Sequence, residues 1–209
     1  MQKDTDWQLV EDIVQGDDKA FNLLMNRYKK PVLSFIYRFL GNPEEAEDVA
    51  QDVFVKAYQA IRNNGVQKQE KAFSTWLFQV ARNAAIDRIR WLKRRPADSL
   101  SAMQDNGWDT INNDRNPYEN TEADELQQEI ATAIAELPEK QRTALILFEY
   151  EDLSYEEIAK ILECQKKSVE NHLYRARQSL KPKLRSFLGL KISAHYGIKI
   201  KRNEGFSFF

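Results

Sequence analysis

Apolar residues recur three and four positions apart through most of the chain, the period of helices with one buried face. Residues 73–95 carry that pattern most densely. Phe73, Trp76, Leu77, Val80 and Ala84 share one stripe, and Phe78, Ala85 and Ile89 form a second patch about a third of a turn away. Two apolar sides predict a helix packed against two neighbours. Ser74 or Thr75 is placed to cap its first amides. Asn83, Asp87 and Arg90, at i, i+4 and i+7, mark a polar face, and Lys93-Arg94-Arg95 precede a stop at Pro96. A rigid helix ending in cations suits a polyanion.

The rest of the chain follows the same period. Residues 6–15 predict a short helix with Trp7, Val10, Ile13 and Val14 turned inward, ended by Gly16. A longer helix begins at Asp17-Asp18 and runs through Phe21, Leu24, Met25, Tyr28, Val32, Phe35, Ile36 and Phe39. Pro31 inside it predicts a kink or a split. Gly41-Asn42-Pro43 stops and restarts the chain. In the third helix Ala46, Val49, Ala50, Val53, Ala57 and Ile61 form the apolar side, opposite Asp48, Gln51, Asp52, Val55 and Gln59. Val55 is the odd member there, either a solitary exposed valine or a partner contact. Asn63-Asn64-Gly65 breaks the helix, and a polar loop leads to Lys71.

From 96 to 121 the period fades into Asp, Asn and Ser with Gly107 and Pro117, the composition of a flexible linker. Trp108 and Ile111 stand alone in it. A second helical group follows. Residues 122–136 bury Leu126, Ile130, Ala133 and Ile134, and residues 139–150 are short and apolar. Ser154-Tyr-Glu-Glu157 is a capping box opening a helix with Ile158, Ala159 and Leu162. After the turn Glu163-Cys164-Gln165, a last helix carries Val169, Leu173, Ala176 and Leu180 on one stripe. Residues 189–209 show little helical logic, and their role stays open.

Composition narrows the picture. With 7 Gly and 6 Pro in 209 residues, and 30% charged residues, helix is favoured over sheet. The net charge of −1 hides a pattern. From Lys56 to Arg95 the acids are Glu70 and Asp87 alone. From Asp98 to Glu129 nine acids face only Arg115, and from Lys160 onward the chain is basic again. A single Cys, Cys164, fits a reducing compartment, and neither a signal region nor a membrane-spanning run is visible. The expectation is a soluble cytoplasmic protein with no membrane insertion.

The helix pair flanking residues 163–165 is a candidate helix-turn-helix. Opposite the buried stripe of its second helix sit Lys167, Asn171, Tyr174, Arg175 and Gln178, types that contact base edges and phosphates, or that make an ordinary solvated face. Phe73, Trp76, Phe78 and Trp91, aromatics among cations, would suit stacking on single strands. Phe73 and Trp76 also lie on the core stripe, which favours a packing role. Catalysis finds no support. The sequence has two His, one Cys, and no Gly-rich phosphate loop, nucleophile elbow or zinc spacing. No catalytic residue, metal ligand or cofactor is expected. The acidic run Glu44-Glu45-Ala-Glu47-Asp48 reads as a solvated or protein-binding surface.

Four blocks in order resemble the extracytoplasmic-function (ECF) sigma factors, bacterial RNA polymerase initiation subunits. They are Gly16-Asp-Asp-Lys-Ala-Phe21; Leu40-Gly-Asn-Pro-Glu-Glu-Ala-Glu-Asp-Val-Ala-Gln-Asp-Val-Phe54; Phe73-Ser-Thr-Trp-Leu through Asp87-Arg88; and Leu137-Pro-Glu-Lys-Gln-Arg followed by Leu153-Ser-Tyr-Glu-Glu-Ile-Ala-Lys-Ile-Leu162. With Val169 and Tyr174-Arg-Ala-Arg177 they cover residues 7–188. The resemblance implies an all-α chain of two small helical domains joined by an acidic flexible linker, the second ending in the helix-turn-helix. Residues 1–95 would be a region 2-like domain that binds core polymerase and recognises and melts the −10 element. Residues 96–121 would be the linker, and 122–188 a region 4-like domain that reads −35 duplex. Asp48, Gln51, Asp52, Val55 and Gln59 would meet core polymerase, whose β′ and β subunits are the expected partners with promoter DNA and an anti-sigma factor. Asn63, Asn64, Gln67, Lys71, Asn83, Asp87, Arg88, Arg90, Lys93, Arg94 and Arg95 would lie along −10 DNA. Lys167, Ser168, Glu170, Asn171, Tyr174, Arg175 and Gln178 would face the −35 element.

The chain departs from the family where it reads sequence. Gln165 and Lys167 replace a common Pro and Gly, Glu170 a frequent Lys, and His172 a frequent Arg. Glu170 either accepts from a cytosine amino group or tunes charge. Two other readings compete with the sigma factor: a stand-alone helix-turn-helix regulator with the first domain as sensor, and a helical adaptor that binds only protein.

Overall fold

The computed structural model describes residues 3–63, 66, 72–94 and 130–196, with side chains from 5 to 184. All regular structure among them is helical. The linker, Leu126 and the tail beyond 196 lie outside the described residues.

The first group holds α1 (Lys3–Val14), α2 (Asp18–Leu40), α3 (Pro43–Arg62) and α4 (Phe73–Arg94). Trp7, Val10 and Ile13 turn α1 inward, and Gly16 at φ 104° lets the chain reverse at its end. Asp17 caps α2 by accepting from the Lys19 amide, and Gly41, left-handed at φ 76°, closes it through a 2.8 Å bond to the Tyr37 carbonyl. Pro31 neither splits nor ends α2, which runs as one helix across it. A proline removes one intrahelical bond, a local cost of about 3 kcal/mol that packing of the flanking residues can offset. Val32, Phe35, Ile36 and Phe39, just beyond the proline, are fully buried.

Asn42 accepts from the Glu45 amide at 2.9 Å, Pro43 opens α3, and Glu44 and Glu45 complement the helix dipole in its first turn. Every residue of the expected α3 stripe is buried, and Phe54 joins it. α4 packs on α2 and α3 together. Phe73 is buried between the rings of Trp7, Tyr28 and Trp76, with centroids 6.1, 5.7 and 5.5 Å away. The expected cap at Ser74 or Thr75 is corrected. The helix already includes both, Thr75 is buried, and the Ala72 carbonyl accepts from the Thr75 amide at 3.1 Å.

The second group has helical residues 130–135, then α5 (Glu139–Glu149), α6 (Tyr155–Ile161) and α7 (Lys166–Tyr196). The capping box of α6 is present in both directions: Ser154 accepts from the Glu157 amide while Glu157 accepts from the Ser154 amide. Val169, Leu173, Ala176 and Leu180 of α7 are all buried, against α5 and α6. α7 continues past Pro182 and residue 188 to Tyr196, so the first part of the expected tail is helix. Gly189 lowers helix propensity by about 1 kcal/mol without forbidding the helix.

The two groups touch. α2 packs on α5 and α4 on α6, and their buried residues form one continuous cluster.

Candidate functional site

On α3 the capped start and buried stripe turn Asp48, Gln51, Asp52, Val55 and Gln59 outward, and all five are exposed. Val55 is 55% exposed, a branched apolar side chain among acids and amides. Asn63 ends the helix, its amide bonded to the Gln59 carbonyl at 3.0 Å, and its side chain is exposed.

On α4 Asn83, Asp87 and Arg90 lie on one exposed face, followed by exposed Lys93 and Arg94 in the last turn. Arg90 is 3.3 Å from the Asp87 carboxylate, a surface pair that orients both side chains at little energy. Arg88 behaves differently. It is half-buried, donates to Glu45 of α3, approaches Asp48 at 3.6 Å, and lays its guanidinium 4.8 Å from the Trp91 ring. The Glu45 bond raises its pKa above the ordinary guanidinium value. Arg88 therefore bridges α4 to α3 instead of joining the outward set. Asn64, Gln67, Lys71 and Arg95 lie outside the described residues.

On α7 Lys167, Glu170, Asn171, Tyr174, Arg175 and Gln178 are exposed and Ser168 is half-buried. Tyr174, at 64% exposure, is the most projecting of them among the large apolar side chains. Glu163 takes a left-handed φ of 52° in the turn, which swings the chain from α6 into α7. Lys166 bonds Glu156 at 2.6 Å and ties the start of α7 to α6. Burial, with the Lys140 and Arg175 cations, holds His172 below its ordinary value, so at neutral pH the α7 surface carries a neutral imidazole there.

Four contacts between the groups have no local signature in the sequence. Arg142 donates to the Phe39 carbonyl of α2 at 2.8 Å, to the Leu137 carbonyl at 3.1 Å and to the Ala135 carbonyl, with its guanidinium 5.1 Å from the Phe39 ring. Arg82 of α4 pairs with Glu139, and Gln79 donates to Glu163 at 2.7 Å. Arg38 lies 4.0 Å over the Tyr150 ring. Arg142 stands inside the quoted block Leu137-Pro-Glu-Lys-Gln-Arg, yet nothing in its spacing assigns it a partner 103 residues away.

Among the described residues no group of His, Cys, Asp and Glu is placed to hold a metal, and no helix is long and apolar enough to cross a membrane. Cys164 is a free, half-buried thiol whose pKa burial raises.

Comparison with known proteins bears on both groups. Residues 24–95 match the family model described as Sigma-70 region 2, and residues 127–180 match Sigma-70, region 4. The RNA polymerase sigma-H factor of Pseudomonas aeruginosa is 37% identical over 190 residues, covering 89% of this chain and 97% of that protein. The ECF RNA polymerase sigma-E factor of Escherichia coli K12 is 35% identical over 188 residues, covering 88% and 96%. CnrH, solved in complex with the cytosolic domain of CnrY, shares the fold at a TM-score of 0.62 and 24% identity, covering 89% of this chain and 98% of that one. The sigma factor RpoE of Bartonella quintana, solved in complex with the anti-sigma factor NepR, does so at a TM-score of 0.62 and 23% identity, covering 82% and 98%.

Proposed function

The chain belongs to the ECF RNA polymerase sigma factors, the subunits that direct core polymerase to promoters, and from that membership we propose how its surfaces divide the work. The exposed face of α3, with Asp48, Gln51, Asp52, Val55 and Gln59, binds core polymerase. The polar face of α4, with Asn83, Asp87, Arg90, Lys93 and Arg94, lies along −10 DNA, and the loop with Asn63, Asn64, Gln67 and Lys71 receives a base drawn from the stack. Unstacking a base costs a few kcal/mol, which a pocket and phosphate contacts offset. The outer face of α7 reads −35 duplex, with Asn171 and Gln178 toward base edges and Lys167 and Arg175 toward phosphates or guanine. Arg88, which holds α4 on α3, borders the polar face of α4.

The chain contributes recognition and strand opening, and nucleotidyl transfer belongs to the polymerase. It works in the bacterial cytoplasm, beside polymerase and chromosome, and an anti-sigma factor restrains it by covering these exposed faces. Residues 1–95 and 122–188 are the working domains and 96–121 their linker.

The observation that supports this division most is the exposure of three chemically distinct sets on three helices whose opposite sides are buried. Run-off transcription with purified core polymerase tests it. The chain should make core start at defined sites on some genomic fragments. DNA binding without any effect on core would instead fit a stand-alone regulator, and neither activity would fit an adaptor.

A further inference from the structure

α1 has no share in the division of labour above, yet it packs on α2, α3 and α4 together. Two sets of its contacts hold the two ends of one segment, residues 63–72 between α3 and α4. At the first end Arg62, the last residue of α3, donates to the Ile13 carbonyl of α1 at 3.2 Å. At the second end Trp7 of α1 meets Phe73, the first residue of α4, edge to face with centroids 6.1 Å apart. The neighbouring Asp6 is 3% exposed, and Arg27 bonds one of its carboxylate oxygens while Tyr28 bonds the other. The Tyr28 ring lies against Phe73, and Ser74 of α4 is near enough to its phenol to oppose the rise in pKa that burial and the Asp6 bond impose. Between these ends Val66 and Ala72 are buried.

We propose that α1 is a brace: the Arg62–Ile13 bond and the Asp6–Tyr28 pair are positioning contacts that fix the two ends of the loop so that it can take the base drawn from the −10 strand. The inference rests on the reading of that loop as the receiver of the base. Burying a carboxylate costs solvation, and an apolar pair of like volume is often no less stable. What Asp6 adds is direction. Its two oxygens are held by donors at successive positions of α2, which fixes how α1 is turned and sets Trp7 on Phe73. Arg62 is exposed, so its bond to Ile13 adds little to the core and instead ties the end of α3 to the end of α1. A loop with both ends fixed has less freedom to lose when it closes on a ligand, and its affinity for that ligand rises accordingly. Asp6, Ile13, Tyr28 and Arg62 belong to none of the proposed polymerase or DNA sets, so their effect reaches the base only through the loop.

The test uses the full chain with core polymerase and a single-stranded oligonucleotide carrying the −10 element of a promoter on which the chain starts transcription, with one abasic site stepped through it. Tyr28→Phe keeps the ring on Phe73 and the Asp6–Arg27 pair, and Arg62→Met keeps the stem and removes the donor. Both variants should bind core and −35 duplex as the unmodified chain does, and melt within a few degrees of it. At one position the abasic site should cost the unmodified holoenzyme about tenfold in affinity, the loss of one stacked base. Each variant should bind the intact strand about three- to tenfold more weakly and lose less than about threefold to the abasic site, because brace and base act as a coupled pair. An abasic penalty as large in either variant as in the unmodified chain would overturn the brace and leave the loop reading standing. Equal losses on the −10 strand, core and −35 duplex would overturn it too, since they belong to a general weakening of the fold. No penalty at any position in the unmodified chain would remove the loop as receiver, and the brace with it.

Discussion

α3 and α4 begin as the same kind of object and end up employed differently. They have 20 and 22 residues, each buries an apolar side, and each leaves a polar face. On α3 that face stays open to solvent from Asp48 to Gln59. On α4 the chain claims part of it. Arg88 goes to Glu45 and Asp48, Arg82 to Glu139 and Gln79 to Glu163, which leaves Asn83, Asp87, Arg90 and the last-turn cations outward. A polar helix face is thus divided between the fold and solvent, and the division is made by residues far away in the chain. α3 leaves its whole polar face in solvent, whereas α4 is at once a wall of the core, a seat for the second helical group and an exposed polar face.

That difference can be broken most forcefully in the core. Phe73→Ala removes a ring that is 1% exposed and enclosed by three other aromatics. Calorimetry should show a loss of about 3–5 kcal/mol. Val55→Ala on α3 should cost less than about 0.5 kcal/mol in the same measurement, since its side chain stands in water. Comparable losses would mean that α3 is as enclosed as α4.

A smaller effect sharpens the other side of the comparison. Val55→Asp should leave the circular dichroism and melting temperature unchanged while core polymerase affinity falls by about tenfold or more, because a charge then occupies an apolar contact. Unchanged affinity would return Val55 to being a solitary exposed valine, and the α3 face would need another occupant.

Much of this was legible in the sequence because its causes are local. The stripes of α3 and α7, the Asn42-Pro43 restart and the Ser154–Glu157 box each lie within one helix or one turn, where spacing and capping chemistry act directly. The outward sets were legible for the same reason, as the complement of a stripe. The employment of individual polar residues was not. Asp6 is buried against Arg27 and Tyr28, and burial with the Asp6 bond pushes the Tyr28 phenol upward. Gln79 finds its partner 84 residues away. A polar side chain on a periodic pattern reads as solvated unless its partner is known, and nothing local names that partner. Pro31 and the start of the tail show the opposite case. Of a kink or a split at Pro31 the split does not occur, and α7 runs through residues 189–196, where the pattern showed little helical logic.

The subtlest expected effect concerns pH and the seam between the two groups. Glu151, half-buried just after α5, has its carboxyl raised from 4.5 to about 7. Burial is the main cause, Asp152 adds to it, and the Arg38 guanidinium of α2 opposes it. A raised carboxyl favours the folded state in its protonated form. Its contribution is fully present below about pH 4.5 and is lost as pH rises through about 7. The melting temperature should therefore fall between about pH 6 and about pH 8. Glu151→Gln, neutral throughout, should show a flat profile over that range. His172 is already held below its ordinary value of 6.5, so its own charge change lies toward the acid side of that window. A slope that survives in Glu151→Gln would assign the titration to another group, and the half-buried carboxyl after α5 would then carry no pH dependence of its own.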